Sequence, residues 1–281
     1  MSTKIEAGVL GATGTVGQEF IAGLADHPWF EVGWIGASER SAGKAYRDAT
    51  PWRLPAARPD RIADMTVDRV TPGRAPKLLF SGLDASVAGE VEAEFARAGH
   101  VVVSNARNHR MDPLVPLVIP EVNADHLDLL DEQGAARGWS GPIVTNPNCS
   151  TIVLALALAP LRPFGLRQVI VSTLQAASGA GYPGVPSLDL VGNVIPVVRG
   201  EESKMETETQ KILGRLTGGA VEPHPVTVSA GTTRVPVING HTELVTVSLE
   251  AAPPVDEVVA AIREFRGRPQ ELGLPGAPPR P

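Results

Sequence analysis

The sequence has few aromatic residues, one cysteine and no long apolar run. Phe, Trp and Tyr make up 4% of the 281 residues, so Ala, Val, Leu and Ile must build the core. A single cysteine excludes an intrachain disulfide and favours a reducing compartment. The longest apolar run, 152–159, ends at Pro160 and is far too short to span a bilayer. The N-terminus lacks the apolar core of a signal peptide. These absences predict a soluble, cytoplasmic protein with no membrane partner.

Positive charge is not in excess either. The 31 acidic and 25 basic residues give a net charge of −6, and Lys and Arg form no cluster, which argues against nucleic-acid binding. The six histidines are dispersed, without the spacing of metal ligands. The sequence therefore predicts neither a nucleic-acid surface nor a metal centre.

The first 150 residues alternate short apolar runs with amphipathic ones. Strands are predicted over 5–10, 31–35, 78–80, 101–103 and 143–144, and helices over 18–25, 88–98 and around 124–130. Strands that alternate with helices form βαβ units. This half therefore predicts an α/β domain over residues 1–148, with a parallel sheet and helices on both faces.

The pattern changes after Cys149. Residues 149–158 are apolar nearly all round and predict a buried helix. Further helices are predicted over 203–213 and 255–265, and strands over 168–174, 226–229, 235–238 and 242–249. This mixed α+β pattern predicts a second domain over 149–266.

Five of the last thirteen residues are proline, so 267–281 are predicted to be a disordered tail without a helix or a central strand.

A glycine-rich turn follows the first predicted strand and opens the first predicted helix. Its glycines let the chain turn tightly and bring backbone N–H groups close to a pyrophosphate, which the positive end of the helix then faces. The spacing is G-x-x-G-x-x-G, and a tight βα turn without a ligand is the alternative. Its position in the α/β half predicts a Rossmann-like dinucleotide site that contains Gly11, Thr13, Gly14, Thr15 and Val16.

The end of the second predicted strand indicates which dinucleotide binds. An NAD site places an acidic residue there to hold the ribose hydroxyls. Here Ser38, Arg40 and Ser41 offer two hydroxyls and a guanidinium, which suit a 2′-phosphate, although Glu39 lies among them. An exposed polar loop without a ligand is the alternative. We predict NADP as the cofactor.

Cys149 lies directly before the apolar helix. A thiol at a helix N-terminus is close to the positive end of the dipole and to N–H donors, which lower its pKa and favour the reactive thiolate. The alternative is a buried structural cysteine, because free cysteine is among the most buried residue types. The Asn-Pro-Asn turn ahead of Cys149, and its place at the predicted domain boundary, favour a nucleophile.

His241 is the best candidate for the base that a nucleophilic cysteine needs. Arg234 precedes it by seven residues, and two strands joined by a Gly turn would let both side chains reach one site. An arginine suits a substrate carboxylate, because its guanidinium forms bidentate hydrogen bonds.

These residues resemble those of the aspartate-semialdehyde dehydrogenase family, most closely its archaeal and fungal branch. The matching stretches follow in order along nearly the whole chain: 11–14 with 16–17, 104–110, 120–123, 146–151, 175–181, 200–204, and 234–237 with 240–243. The resemblance implies NADPH-dependent reductive dephosphorylation of L-aspartyl-4-phosphate to L-aspartate 4-semialdehyde, on the route to lysine, threonine and methionine. It also implies a homodimer or homotetramer assembled through the second domain.

The resemblance implies catalytic roles for three residues. Cys149 attacks the acyl phosphate to form a thioester, and reduction of that thioester releases the aldehyde. His241 is the general acid/base, and Gln175 orients the substrate and the intermediate.

The resemblance implies binding roles for further residues. Arg234 binds the α-carboxylate, Glu201 positions other polar groups of the substrate, and the phosphate is held by Lys204 and Arg110. The ribose and nicotinamide ends of NADP are lined by Ser81, Leu83, Ser178 and Gly179. For Arg110, Lys204 and Glu201, a solvated surface charge is the alternative.

Two features depart from the family. Gly231-Thr232-Thr233 stand where this branch often has a cysteine or an asparagine, which affects fine positioning. The family also continues with a strand, an Asn-containing loop near the nicotinamide and a last helix, and we expect this chain to lack that segment.

Two other enzyme functions remain as alternatives. Malonyl-CoA reductase shares the cysteine, the histidine and NADPH, and N-acetyl-glutamyl-phosphate reductase has motifs that fit less well. A non-catalytic NADP-binding or assembly protein is the alternative outside the enzymes.

Overall fold

The computed structural model describes residues 4–275 and 277, and these form two compact units. The first unit contains residues up to 116 together with 128–146. The second contains 117–127 together with the chain from 147 onwards. Each unit has its own sheet.

The strands and helices of the described residues are numbered in chain order. The strands are β1 Ile5–Leu10, β2 Phe30–Ala37, β3 Asp68–Arg69, β4 Leu78–Ser81, β5 Val101–Ser104, β6 Ile143–Thr145, β7 Leu166–Gln175, β8 Ile195–Pro196, β9 Arg215–Thr217, β10 Ala220–Glu222, β11 Thr227–Arg234 and β12 Thr242–Leu249. The α-helices are α1 Thr15–Leu24, α2 Tyr46–Ala49, α3 Asp60–Ala63, α4 Ala85–Arg97, α5 Pro120–Asn123, α6 Leu129–Arg137, α7 Cys149–Leu158, α8 Ser187–Leu190, α9 Glu201–Ile212, α10 Val255–Glu264 and α11 Arg268–Glu271. Short 3-10 helices cover Arg107–His109, Ala124–Asp128, Ala159–Phe164 and Ala177–Ala180.

The first unit is built on a six-stranded parallel sheet with the order β3-β2-β1-β4-β5-β6. Two apolar clusters fill the unit. One includes Val9 and Ile21, and the other includes Leu10, Leu79 and Phe95. Successive side chains of β1 point to opposite faces of the sheet, so Val9 and Leu10 enter different clusters. The predicted α/β fold is confirmed, and the carboxyl ends of β1, β2 and β4 meet at one edge of the sheet, where parallel α/β folds bind ligands.

The second unit is built on a four-stranded mixed sheet with the order β12-β7-β11-β8. Strands β7 and β11 are parallel, β12 is antiparallel to β7, and β9 and β10 form a separate two-stranded ribbon. One face of the sheet packs against α7 and α9 around Leu154, Val171 and Met205. The other face is exposed, with Ile170 and Leu244 more than half accessible. Strand alternation therefore divides the sheet into a core face and an open face.

Two predicted elements are wrong in this structure. Residues 235–238 are not a strand: Pro236 has no N–H, and the segment instead accepts hydrogen bonds from residues 177 and 178 through the carbonyls of Val237 and Ile238. The helix expected around 124–130 is split into a 3-10 helix, Ala124–Asp128, and the α-helix α6. The shortest elements, among them β3, α2 and α3, are too short to give a periodic signal.

Helix α7 begins at Cys149 as predicted but is not buried all round. Leu154 and Leu158 are fully buried in the core, whereas Val153 on the opposite face is 45% exposed. An all-round apolar sequence predicts burial only if every face meets a partner, and among the described residues the Val153 face is not covered.

The predicted tail contains a helix, which corrects the expectation that none could form after residue 267. Pro269 lies in the first turn of α11, where a missing N–H costs no intrahelical bond. Gly267 packs so closely on α5 that an added Cβ would lie 2.3 Å from the Cα of Glu121. Residues 276 and 278–281 of this tail lie outside the described residues. Among the described helices, none has the length and apolar character to cross a membrane.

Candidate active site

Asn148 holds the N-terminus of α7, where Cys149 is the first helical residue. Its Oδ1 accepts hydrogen bonds from the N–H groups of Ser150 (3.1 Å) and Thr151 (3.4 Å), the pattern of an N-cap. Its Nδ2 donates to Glu201 Oε2 at 2.7 Å, and its backbone N–H donates to Glu208 Oε2 at 2.7 Å. Asn148 therefore ties the Cys149 turn to two carboxylates of α9.

His241 contacts the cysteine directly. Its Nε2 lies 3.2 Å from Cys149 Sγ, and its Nδ1 accepts the backbone N–H of Ala176 at 3.0 Å. The carbonyl of Ala176 accepts a hydrogen bond from Arg234 Nη1. One buried residue at the end of β7 thus connects the imidazole and the guanidinium.

The sheet explains how these side chains meet. Arg234 ends β11 opposite Gln175, the last residue of β7, and His241 directly precedes β12. Because β7 lies between β11 and β12, Arg234 and His241 come from either side of the β7 end. Both side chains therefore contact Ala176, although β11 and β12 are not adjacent in the sheet.

The pKa of the Cys149 thiol is raised, which corrects the predicted lowering. Residue 149 is exposed as a whole, but its sulfur is partly desolvated at the first turn of α7, and the Glu201 carboxylate is close. Desolvation and this negative charge both disfavour the thiolate and outweigh the backbone hydrogen bonds that lower the pKa. Burial and the Arg234 charge lower the pKa of His241, against a smaller opposing effect of Glu201.

Gln175 and Gly179 border the same site. The Gln175 side chain is buried, and its Nε2 has no hydrogen-bond partner among the described residues. A Cβ at Gly179 would lie 3.3 Å from His241 Cε1 and 3.4 Å from Arg234 Nη1, so the 3-10 helix of Ser178 and Gly179 packs against both. This segment therefore lies next to the imidazole and the guanidinium.

Glu201 and Lys204 form a pair on α9. Lys204 Nζ donates to Glu201 Oε1 at 2.6 Å, while the other Glu201 oxygen accepts from Asn148. Glu201 is only 9% exposed, so the alternative of a solvated surface charge is excluded for this carboxylate in the structure. Arg110 belongs to the first unit, where it is buried and donates to the carbonyl of Asn105 at 2.8 Å.

The glycine turn of the first unit fits a dinucleotide. Gly11 has a φ of +71°, and a Cβ there would lie 2.7 Å from the Gly82 carbonyl. A Cβ at Gly17 would lie 2.3 Å from the Gly11 carbonyl, so only glycine allows the β1–α1 turn to pack this tightly. The N-cap of α1 is Gly14, which offers no side chain to the first N–H groups of the helix. These N–H groups are the donors that a pyrophosphate needs.

The other cofactor residues predicted in the first unit also lie at this edge of its sheet. Ser38 and Arg40 are exposed in the turn after β2, and Ser41 is buried, with its N–H bonded to the Ser38 carbonyl at 2.9 Å. Ser81 is fully buried at the end of β4, and Leu83 is half-buried two residues later. The exposed guanidinium and hydroxyl after β2 are suited to an added phosphate.

Sequence reasoning missed several residues that support the two sites. Asn148 could have been found, because an asparagine directly before an apolar helix is a typical N-cap. Glu208, Ala176 and Tyr46 could not, because their contacts join distant parts of the chain. Tyr46 donates to the Ala12 carbonyl at 2.7 Å and so braces the glycine turn, and burial raises its pKa to about 12.

Comparisons with known proteins cover both units. The family model described as "Semialdehyde dehydrogenase, NAD binding domain" matches residues 6–130, and "Semialdehyde dehydrogenase, dimerisation domain" matches residues 158–272. The aspartate-semialdehyde dehydrogenase of Methanothermobacter thermautotrophicus is 50% identical over 280 residues, which cover 99% of this chain and 80% of the relative. That of Cryptococcus neoformans is 50% identical over 290 residues, covering 98% of this chain and 79% of the relative.

A solved structure agrees with these relatives. The crystal structure of aspartate semialdehyde dehydrogenase with NADP from Candida albicans matches with a TM-score of 0.90 and 41% identity, covering 98% of this chain and 80% of that chain. The Cys149–His241 pair and the glycine turn thus lie in a chain whose sequence and fold both match one group of enzymes. The chain belongs to the aspartate-semialdehyde dehydrogenase family.

Proposed function

We propose that this protein catalyses the NADPH-dependent reductive dephosphorylation of L-aspartyl-4-phosphate to L-aspartate 4-semialdehyde, a step of lysine, threonine and methionine biosynthesis. The observation that carries the proposal is the 3.2 Å contact between Cys149 Sγ and His241 Nε2, in a chain of this family. A nucleophilic sulfur beside a nitrogen acid/base is the arrangement that acyl transfer through a thioester needs.

Substrate binding is assigned to the charged and amide groups around this pair. One N–H of Arg234 donates to the Ala176 carbonyl, and its remaining N–H donors suit the substrate α-carboxylate. Gln175 offers its free Nε2 to the acyl group. Lys204 and Arg110 supply positive charge for the phosphate. Glu201 orients Lys204 and accepts hydrogen bonds from polar groups of the substrate.

The cofactor is assigned to the glycine turn and its neighbours in the first unit. Gly11, Thr13, Gly14, Thr15 and Val16 hold the pyrophosphate, and the turn after β2 holds the 2′-phosphate. Ser81, Leu83, Ser178 and Gly179 line the ribose and nicotinamide ends. When bound, NADPH supplies the hydride that reduces the acyl group.

The residues of the chain perform the remaining chemistry. Cys149 Sγ forms a bond to the acyl carbon, the carbon–oxygen bond to phosphate breaks, and the thiol proton passes to His241, so that α7 holds the acyl group as a thioester. His241 Nε2 is next to the sulfur, and it can therefore contact both the sulfur and the oxygen of the attached acyl group. When the reduced intermediate collapses, the carbon–sulfur bond breaks and the aldehyde is released.

Assembly is assigned to the open face of the β12-β7-β11-β8 sheet. The cross-strand pairs on this face carry Ile170, Leu174 and Leu244, which are 51%, 39% and 59% exposed, among small polar residues. A partly apolar, exposed sheet face in a matched dimerisation domain supports a homodimer through this surface, with a homotetramer as a further assembly. Because the nucleophile is a free thiol, we also propose a cytoplasmic location.

The test is the reverse reaction. The wild-type chain is expected to reduce NADP⁺ with aspartate semialdehyde only when phosphate is present, and Cys149→Ser is expected to lose at least about a thousandfold in rate. The paired variant Arg110→Ala/Lys204→Ala should raise the KM for phosphate more than that for the semialdehyde. Turnover with malonyl-CoA but not with aspartyl phosphate or the semialdehyde would contradict the assignment.

A further inference from the structure

We propose that Glu92 on α4 is a positioning residue, which fixes the loop of residues 105–110 and so places Arg110 for the phosphate. This segment, which includes a short 3-10 helix, is called the Arg110 loop below. The inference rests on the proposed function, because it deepens the role assigned there to Arg110. Glu92 is fully buried, so it can act only through its neighbours. All of these residues belong to the first unit.

The Arg110 loop packs against one face of α4. Ala85, Gly89 and Glu92 follow one another at i, i+4 and i+7, so they lie on the same side of the helix. The carbonyl of Ala85 accepts a hydrogen bond from Asn108 Nδ2 at 2.9 Å. A Cβ at Gly89 would lie 3.0 Å from the same nitrogen, so the loop is close to the helix backbone there. Glu92, on the same face, reaches the loop with its carboxyl group.

This carboxyl group contacts the chain at both ends of the loop. Its Oε1 accepts the hydroxyl of Ser104, the last residue of β5, at 2.7 Å. Because the Ser104 hydrogen points to Glu92, the Ser104 oxygen can accept the N–H of Ala106, which lies 3.1 Å away. Oε2 lies 3.6 Å from His109 Nε2, and neither atom has a hydrogen-bond partner among the described residues. Arg110 follows directly, so one side chain holds the backbone up to the guanidinium-bearing residue.

Burial makes the Arg110 loop depend on these contacts. Ser104 is fully buried and Ala106 is 6% exposed, so water cannot easily replace a lost partner. Without an ordered Ser104 oxygen, the Ala106 N–H would be a buried donor without an acceptor, which is costly. Arg110 Nη2 donates to the carbonyl of Asn105 at 2.8 Å, so a shift of the backbone at 105–106 moves the guanidinium as well.

The protonation state of Glu92 determines which substitution keeps its function. Burial raises the pKa of Glu92, against the opposing effects of the Ser81 and Ser104 hydroxyls, and burial lowers the pKa of His109. Both shifts favour a neutral carboxyl beside a neutral imidazole. Glutamine has nearly the shape of a neutral carboxyl and also offers one acceptor and a donor. Glu92→Gln should therefore keep both contacts, whereas Glu92→Leu fills the space without either.

The test is the kinetics of the reverse reaction in these variants. In Glu92→Leu the KM for phosphate is expected to rise at least about tenfold, with the KM for aspartate semialdehyde and for NADP⁺ within about twofold of wild type. Glu92→Gln should stay within about twofold of wild type for all three. An unchanged KM for phosphate in Glu92→Leu, or an equal rise in all three constants, would overturn the proposal.

Ser104→Ala tests the same chain of contacts from its other end. It removes the oxygen that accepts the Ala106 N–H, so it should raise the KM for phosphate as Glu92→Leu does. Because the two side chains act through one contact, the double variant should be no worse than the more impaired single variant by more than about twofold. Multiplicative effects of the two substitutions would show that they act independently and would contradict the proposed route.

A buried change elsewhere on α4 is the control for lost stability. Phe95→Leu alters packing against Trp34 and His100, and His100 directly precedes β5, at the opposite end of that strand from Ser104. This variant should keep the wild-type KM for phosphate. A rise as large as that of Glu92→Leu would show that any weakening of α4 has the same effect, and would overturn the positioning role.

Hydrogen exchange of the full chain, followed by mass spectrometry, gives a readout that needs no turnover. Peptides covering 104–110 should exchange at least about tenfold faster in Glu92→Leu and at the wild-type rate in Glu92→Gln. Wild-type exchange of these peptides in Glu92→Leu would overturn the inference. A wild-type chain without phosphate-dependent dehydrogenase activity would count against the proposed function, whereas the exchange rates would still report on the contacts of Glu92.

Discussion

Asn148 shows how one residue sets the position of the nucleophile. Its side chain caps α7 and donates a hydrogen bond to Glu201, while its backbone N–H donates to Glu208. The cap satisfies N–H groups that would otherwise lack partners at the start of the helix. Because Cys149 is the next residue, any loosening of this turn displaces the sulfur from His241.

Replacement of Asn148 is therefore expected to affect both stability and rate. Asn148→Ala removes the cap, at a cost of about 1 kcal/mol, and the hydrogen bond to a charged Glu201, at a cost of about 1–3 kcal/mol. Asn148→Ser keeps a capping oxygen but loses the donor to Glu201. It should therefore be more stable than Asn148→Ala by about 1 kcal/mol, the contribution of the cap. Urea unfolding and kcat of the two variants measure the contributions of the cap and of the Glu201 hydrogen bond separately. Equal stability of Asn148→Ala and wild type would contradict the role of the cap.

At the scale of elements, sequence reasoning was most accurate where hydrophobic period and capping agree. Helix α7 starts at the predicted residue because an N-cap, a helix dipole and an apolar run coincide there. The prediction of a strand over 235–238 was wrong, because Pro236 and the hydrogen bonds from residues 177–178 determine the conformation of that segment. The raised pKa of Cys149 could not be predicted, because the burial of its sulfur and the nearby Glu201 carboxylate depend on tertiary packing, including that of α9 on α7.

Strand β12 carries a half-buried acid, Glu243, whose titration should be visible in the stability of the protein. Both oxygens of Glu243 lack hydrogen-bond partners among the described residues, and desolvation raises its pKa to about 7. Between the ordinary value of 4.5 and about 7, the folded state holds more protons than the unfolded state, so stability falls as pH rises. The cost is complete above about pH 7 and absent at low pH.

Glu243→Gln is expected to remove this cost. At pH 8 the variant should be more stable than wild type by about 1–2 kcal/mol, a value reduced for the partial exposure of the side chain, and at pH 4 the two should be equal. Thermal unfolding at the two pH values measures the difference, and the exposed Glu264→Gln on α10 is the matched control. A gain that is the same at both pH values would show a packing effect instead of titration.

For the whole molecule, substitutions on the open face of the second sheet test the proposed assembly. Paired substitution Ile170→Glu/Leu244→Glu places charges where two copies of the face would meet, and burying unpaired charge is costly. The variant is expected to be monomeric by light scattering where the wild type is at least dimeric. Val87→Glu on α4, an equally apolar and 49% exposed position of the other unit, should leave the assembly unchanged. An unchanged oligomer in the paired variant would exclude this face.

The central claim is that Cys149 carries the acyl group as a thioester, which phosphate then accepts in the reverse direction. The most direct measurement is rapid mixing of enzyme, NADP⁺ and aspartate semialdehyde without phosphate, followed by mass spectrometry of the protein. The account predicts a burst of NADPH about equal to the enzyme concentration, an acyl adduct on Cys149, and resumed turnover when phosphate is added. Steady NADPH formation without phosphate, or a burst of the same size in Cys149→Ser, would contradict it.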